Sequence, residues 1–135
     1  MRYVVVIVTI VCLAFTVCSL ASQDGEPKKG WDAFEWSKLL QQQEESGRAY
    51  LRFLKVPTLN CGVYALRKGE TDGQIPHRQD EMYYVVEGQG RFTVGGADLE
   101  VKPGSILYVK AGVEHRFYDI TEDVKLLVFF SAAAG

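Results

Sequence analysis

The sequence predicts an all-β fold, an antiparallel sandwich or barrel preceded by a short N-terminal helix or arm, and three observations carry that expectation. From Arg48 onward the chain divides into eight short apolar or aromatic runs, each with the length and composition of a strand. Segments rich in Gly, Pro and Asp separate the runs at close intervals, the pattern of antiparallel sheets. Gly95-Gly96 is the clearest junction, because paired glycines accept the positive φ angles of a two-residue hairpin.

Residues 1–21 stand apart from this framework. Met1 and Arg2 precede an apolar run over 4–17 broken only by Thr9 and Thr16, and Ser19-Leu20-Ala21 offers small residues for cleavage. This reads as a secretory signal peptide, which predicts a secreted or periplasmic protein. An uncleaved anchor is the alternative, since residues 3–21 approach the roughly 20 apolar residues that span a bilayer. Lipidation of Cys18 fits less well, with bulky Val17 before it.

Removing 21 of the 135 residues leaves 114 and moves the formal net charge from −2 to −3, because Arg2 is lost. Basic residues are scattered among acids, so no nucleic-acid surface is predicted. After cleavage nothing ties the chain to a membrane. Of three cysteines only Cys61 survives, which excludes an internal disulfide and a Cys-based zinc site and leaves Cys61 as an apolar filler. A chain of this size buries about two thirds of its unfolded surface, enough for a core without staples.

Residues 22–30 are polar with Pro and Gly and predict a flexible start to a leader over 22–47. Trp31, Phe34 and Trp36, then Leu39 and Leu40, allow one amphipathic helix ending near Gly47 and packed across a sheet. The eight strand-like runs are 49–54, 61–66, 82–86, 91–94, 99–101, 106–109, 115–118 and 124–130, with turns at 69–73, 87–90, 95–96, 103–104, 111–112 and 121–123. Gly88 and Gly90 are expected in a hairpin. Tyr83, Tyr108, Phe117, Phe129 and Phe130 are expected to fill the interior, with one or two of them lining a ligand pocket, and Tyr118 alternates outward.

The chain has two histidines. His77 follows Pro76, and Glu81 opens the run EMYYVVEG. In a straight strand these side chains would stand about 13 Å apart, whereas ligands of one ion lie only about 3 Å apart. Arg78-Gln79-Asp80 must therefore bend if His77 and Glu81 are to meet. His115 stands just beyond a glycine turn, so both imidazoles sit at strand-turn junctions that can converge at one mouth of a barrel. Glu81 shares its face with Tyr83 and Val85. Turned inward, its carboxylate needs a cation or hydrogen bonds, with Arg91 or Tyr83 as the protein partners to hand.

These segments resemble the two motifs of the cupin family. Gly69, His77, Glu81 and Gly88 fall in register with the first motif, with Ile75 in place of its leading histidine. Gly104, Gly112 and His115 match the second, with Lys110 for its proline and Asp119 for its asparagine. The resemblance implies an antiparallel double-sheet jelly-roll barrel over 48–131. It also implies a divalent metal ion, Fe, Mn, Zn or Ni, on His77, Glu81 and His115, a two-imidazole, one-carboxylate set that leaves coordination positions open. Gln74, beside the lost ligand, offers an amide oxygen. The implied function is oxygenase- or isomerase-type chemistry on a small organic substrate, or non-catalytic binding of a small molecule or metal. Pairing through the sheets implies a homodimer.

Overall fold

The computed structural model describes residues 30–132. The expected signal peptide and residues 22–29 of the expected leader lie outside the described residues. One helix, α1 (Trp36–Ser46), precedes six strands: β1 (Tyr50–Val56), β2 (Leu59–Leu66), β3 (Glu81–Val94), β4 (Ala97–Val101), β5 (Ile106–Val109) and β6 (His115–Ser131). All pairings are antiparallel, in the order β1-β2-β6-β3-β4, with β5 also beside β3. The sheet rolls into a jelly-roll form but does not close.

Eight expected strands become six because two expected turns are bends within strands. At 87–90 the chain makes no hairpin. β3 continues through register shifts between Val85 and Arg91 while staying paired to β6. Gly88 has φ +87°, and a side chain there would collide with the Asp123 carbonyl. The glycines thus serve a bulged bend that only a residue without Cβ permits. The segment 121–123 likewise lies within β6, whose local irregularity is taken up at Asp119, φ +45°. The bend divides the neighbours of β3: its first four residues pair with β5, its last five with β4. Gly95-Gly96 makes the expected hairpin, with Val94 opposite Ala97 and φ values of +54° and +85°.

Alternation along β3 sends Glu81, Tyr83 and Val85 inward and Met82 and Tyr84 outward. Tyr83, Val85, Phe92, Phe117, Val124, Leu126 and Val128 form the centre of the core, with Phe92 and Phe117 ring centroids 4.6 Å apart. Each fully buried side chain of this kind contributes roughly 1.5–3 kcal/mol. Two aromatic expectations are corrected. Tyr108 pairs with Met82 on the outer face and is 59% exposed. Phe129 pairs with Met82 from the other side and shares that face. Strand parity decides both: Leu107 and Val128 stand opposite inward Tyr83, so their neighbours point out.

α1 ends where expected, at Gly47 with φ +65°, whose N–H donates to the Glu44 carbonyl. Leu39 is buried, and Gln43 Nε2 donates to the Arg48 carbonyl at 2.6 Å, tying the helix end to the approach to β1. Phe34 packs on Phe53 of β1 at 4.8 Å. Lys125 bridges Glu44 of the helix and Glu87 of β3. The helix thereby lies across one outer face and leaves the opposite, concave side open. Cys61 is buried, consistent with an apolar filler.

Candidate metal centre

Glu81 is the first residue of β3 and His115 the first of β6, and both side chains turn into the concave face, 2% and 5% exposed. His77 reaches them from the irregular segment before β3. The bend that the sequence required is present at Arg78-Gln79. Specific bonds hold it: the Gly112 N–H donates to the His77 carbonyl at 2.8 Å, Ala111 N–H to Asp80 Oδ1 at 2.9 Å, and Ser131 N–H to the Asp80 carbonyl at 2.9 Å. The His77 ring stands edge-on to Phe130 at 5.2 Å. The segment is therefore fastened to the 111–112 turn and to the end of β6.

His115 Nε2 lies 2.9 Å from Glu81 Oε1 and His77 Nε2 3.8 Å from Glu81 Oε2. One ligand atom from each of the three falls within 4.8 Å of the others, the one such group of histidine, cysteine and carboxylate side chains among the described residues. His115 Nδ1 faces the Val113 carbonyl at 2.8 Å, so this nitrogen carries the proton and Nε2 presents its lone pair when the ring is neutral. A lone pair then meets a carboxylate oxygen at hydrogen-bond distance. A proton or a cation must lie between them. Burial disfavours the imidazolium, yet the hydrogen bonds to Glu81 and to the Val113 carbonyl and the charges of Glu81 and Asp72 outweigh it and raise the His115 pKa.

Tyr83 completes the cluster. Its hydroxyl is 2.7 Å from Glu81 Oε2, 2.8 Å from Gln74 Oε1 and 3.1 Å from His115 Nε2. One phenolic proton cannot serve three acceptors. Burial, then the Glu81 charge, push the Tyr83 pKa far up, so the group remains a hydroxyl. Of the two protein partners expected for Glu81, Tyr83 is present and Arg91 is not: Arg91 pairs with Asp98 at 3.3 Å, and its Nε donates to the Tyr118 hydroxyl oxygen at 2.9 Å.

Gln74 thus faces the centre through Tyr83, while Ile75 turns away and is 72% exposed. The orientation of Gln74 is set by Asp72, a residue that sequence reasoning placed only in a turn. Asp72 is buried, and its oxygens accept from Tyr64 Oη at 2.7 Å, Gln74 N–H at 3.1 Å, Gln74 Nε2 at 2.7 Å and the Phe117 N–H at 2.8 Å. No local pattern announces such a role, because three of its partners are remote in sequence or lie in side chains.

A cavity of about 560 Å³ opens onto His77, Gln74 and Tyr83, walled by Tyr50, Tyr64, Val128 and Phe130. Gly62 leaves room for the Tyr50 ring to lie over β2, where any side chain would strike it. Asn60 also lines the cavity, and its buried Oδ1 has no hydrogen-bond partner. A larger groove of about 740 Å³ beside the end of α1 mixes Arg48, Lys68 and Lys125 with Glu44, Glu70 and Asp123 and brings no ligand set together.

The donor set suits a divalent ion: two imidazoles, one carboxylate, an acceptor surplus and remaining open space. Comparison with known proteins agrees with the fold that surrounds it. A family model described as a cupin domain matches residues 62–130. An uncharacterised protein of Streptomyces coelicolor is 46% identical over 99 residues, covering 73% of this chain and 94% of that one. An acireductone dioxygenase of Leishmania infantum is 40% identical over 63 residues, which cover 42% of this chain but only 18% of the dioxygenase. The solved structure of an RmlC-like cupin family protein with a double-stranded β-helix fold, from Methanocaldococcus jannaschii, superposes with a TM-score of 0.57 at 15% identity, covering 62% of this chain and 79% of that one.

Proposed function

The chain belongs to the cupin family, and from that premise we propose that it is an exported cupin carrying one divalent metal ion on His77, Glu81 and His115, where it acts on a small organic substrate. One observation carries the reading: three donors from separate segments meet in a buried space that holds more lone pairs than protons. When bound, the ion supplies Lewis acidity toward a substrate oxygen and, if it is iron, oxygenase chemistry. Partial similarity to an acireductone dioxygenase supports the oxygenase form; isomerase-type chemistry would use the Lewis acid alone.

The protein's own residues have definable tasks. His115, fixed through Nδ1 by Val113, offers Nε2 without reorientation. His77, at the partly exposed rim, stands where substrate enters. Phe130, Val128 and Tyr64 provide an apolar wall that sheds water from a bound molecule. Asn60 Oδ1 gains the donor it lacks when a ligand hydroxyl or amine approaches.

Export rests on residues 1–21. A homodimer is supported by the outer face of β3 and β5, where Met82 lies opposite Tyr108 and Tyr84 opposite Ile106, all four exposed.

A non-catalytic binding module is the second reading. It is favoured by the fact that Glu81 already has protein partners, His115 and Tyr83. Metal analysis of the purified protein tests both. The metal reading expects near-stoichiometric ion, lost in His115→Ala. A wild type that stays metal-free after refolding with Fe, Mn, Zn and Ni would reject it. Oxygen uptake with phenolic, thiol or sugar substrates then separates catalysis from storage.

A further inference from the structure

The family's first motif normally supplies one more imidazole than this chain has, and Ile75, which stands in its place, points to solvent. The space is not left without a donor. Tyr83 Oη comes up from β3, 2.7 Å from Glu81 Oε2 and 3.1 Å from His115 Nε2. These are the separations of atoms that share an ion, about 3 Å. A hydroxyl bound to a cation needs an acceptor for its proton and a free lone pair for the ion. Gln74 Oε1, at 2.8 Å, is that acceptor. Its identity as oxygen is not interchangeable with nitrogen, because Gln74 Nε2 donates to Asp72 Oδ2, and Asp72 is itself held by Tyr64 and the Phe117 N–H.

We propose that Tyr83 supplies the fourth protein donor of the metal centre, its proton held by Gln74 and its lone pair directed at the ion. This rests on the metal reading above and deepens it. Asp72 is then a positioning residue: it fixes the amide that fixes the phenol. With a divalent ion the phenol keeps its proton. Iron(III), by its charge, ionises a phenol that it binds, and the proton passes to buffer.

The test uses the mature chain loaded with iron(II) without oxygen and then oxidised with ferricyanide. Expected is a visible tyrosinate-to-iron(III) charge-transfer band in the wild type and none in Tyr83→Phe, a variant that keeps the ring packed on Phe92 and Phe117. Zinc affinity, read by chelator competition, should fall about tenfold or more in Tyr83→Phe. Iron-loaded wild type without the band, or a variant that matches the wild type in band and zinc affinity, overturns the proposal while leaving the three-ligand centre standing. A wild type that takes up neither metal overturns both. Should Tyr83→Phe not fold, resonance Raman of the iron(III) wild type decides alone: tyrosinate ring modes support the ligand, and their absence removes it.

Discussion

Replacing Asp72 by Ala removes the acceptor shared by four donors and so tests whether the site is held from outside its ligands. One of those donors matters most for stability. The Phe117 N–H is buried and loses its 2.8 Å bond; such an orphaned group costs roughly 1–3 kcal/mol. Gln74 loses both the 2.7 Å side-chain bond and the 3.1 Å backbone bond, and Tyr64 its 2.7 Å bond, but both border the cavity and can turn to solvent, a net loss of about 1 kcal/mol each. Relief from burying a carboxylate offsets part of this. The sum is about 2–4 kcal/mol, which for a domain of this size lowers Tm by about 10–20 °C. The Gln74 amide, freed to rotate, should also weaken metal binding by about 10–100-fold. Thermal melts followed by circular dichroism, with and without EDTA, read the first effect, and chelator competition the second. An Asp72→Ala protein that melts within 2 °C of the wild type and binds zinc equally well would refute the reasoning.

The remaining predictions follow from the same geometry. His115 has a raised pKa in the folded protein, against burial and because of Glu81, Val113 and Asp72, so its protonation stabilises the metal-free fold below the unfolded pKa and that contribution disappears as pH rises through the folded value. Urea midpoints in EDTA should accordingly fall across that window, while metal affinity, which needs the neutral imidazole, should climb; midpoints that rise instead would reverse the assignment of the 2.9 Å pair. Gly88→Ala must place a Cβ against the Asp123 carbonyl at φ +87°, and should lose at least about 2 kcal/mol, measured by denaturant titration. Phe117→Ala, which empties the ring contacts to Phe92 and Tyr83, should lose about 3–5 kcal/mol in the same assay. Tyr108→Glu puts a charge on the exposed face opposite Met82 and should shift a dimeric protein to monomer in sedimentation velocity.

The candidate site was legible in part. The candidate donor types, their strand-end positions and the face that Glu81 shares with Tyr83 and Val85 follow from residue chemistry and period-two alternation, both local. So does the need for a bend after His77, which is a matter of reach. What closes that bend is Asp80 accepting from Ala111 and pairing with Ser131, contacts more than 30 and 50 residues away that no local pattern encodes. Tyr83 could be placed on the inner face and named as a partner of Glu81, but its simultaneous approach to Gln74 and His115 could not. Asp72 was indistinguishable from any turn aspartate.

For this protein the sequence determined the antiparallel β class, the helix stop at Gly47 and the Gly95-Gly96 hairpin, because propensity, turn chemistry and alternation act between near neighbours. Tertiary structure alone decided that β3 and β6 continue, bent, through 87–90 and 121–123 instead of ending there. A glycine at positive φ suits a hairpin and a bulge equally, and only the Asp123 carbonyl pressed against Gly88 selects the bulge. It alone also brought His77, Glu81 and His115 together, since their meeting depends on a rolled sheet pairing both ends of β3 with β6.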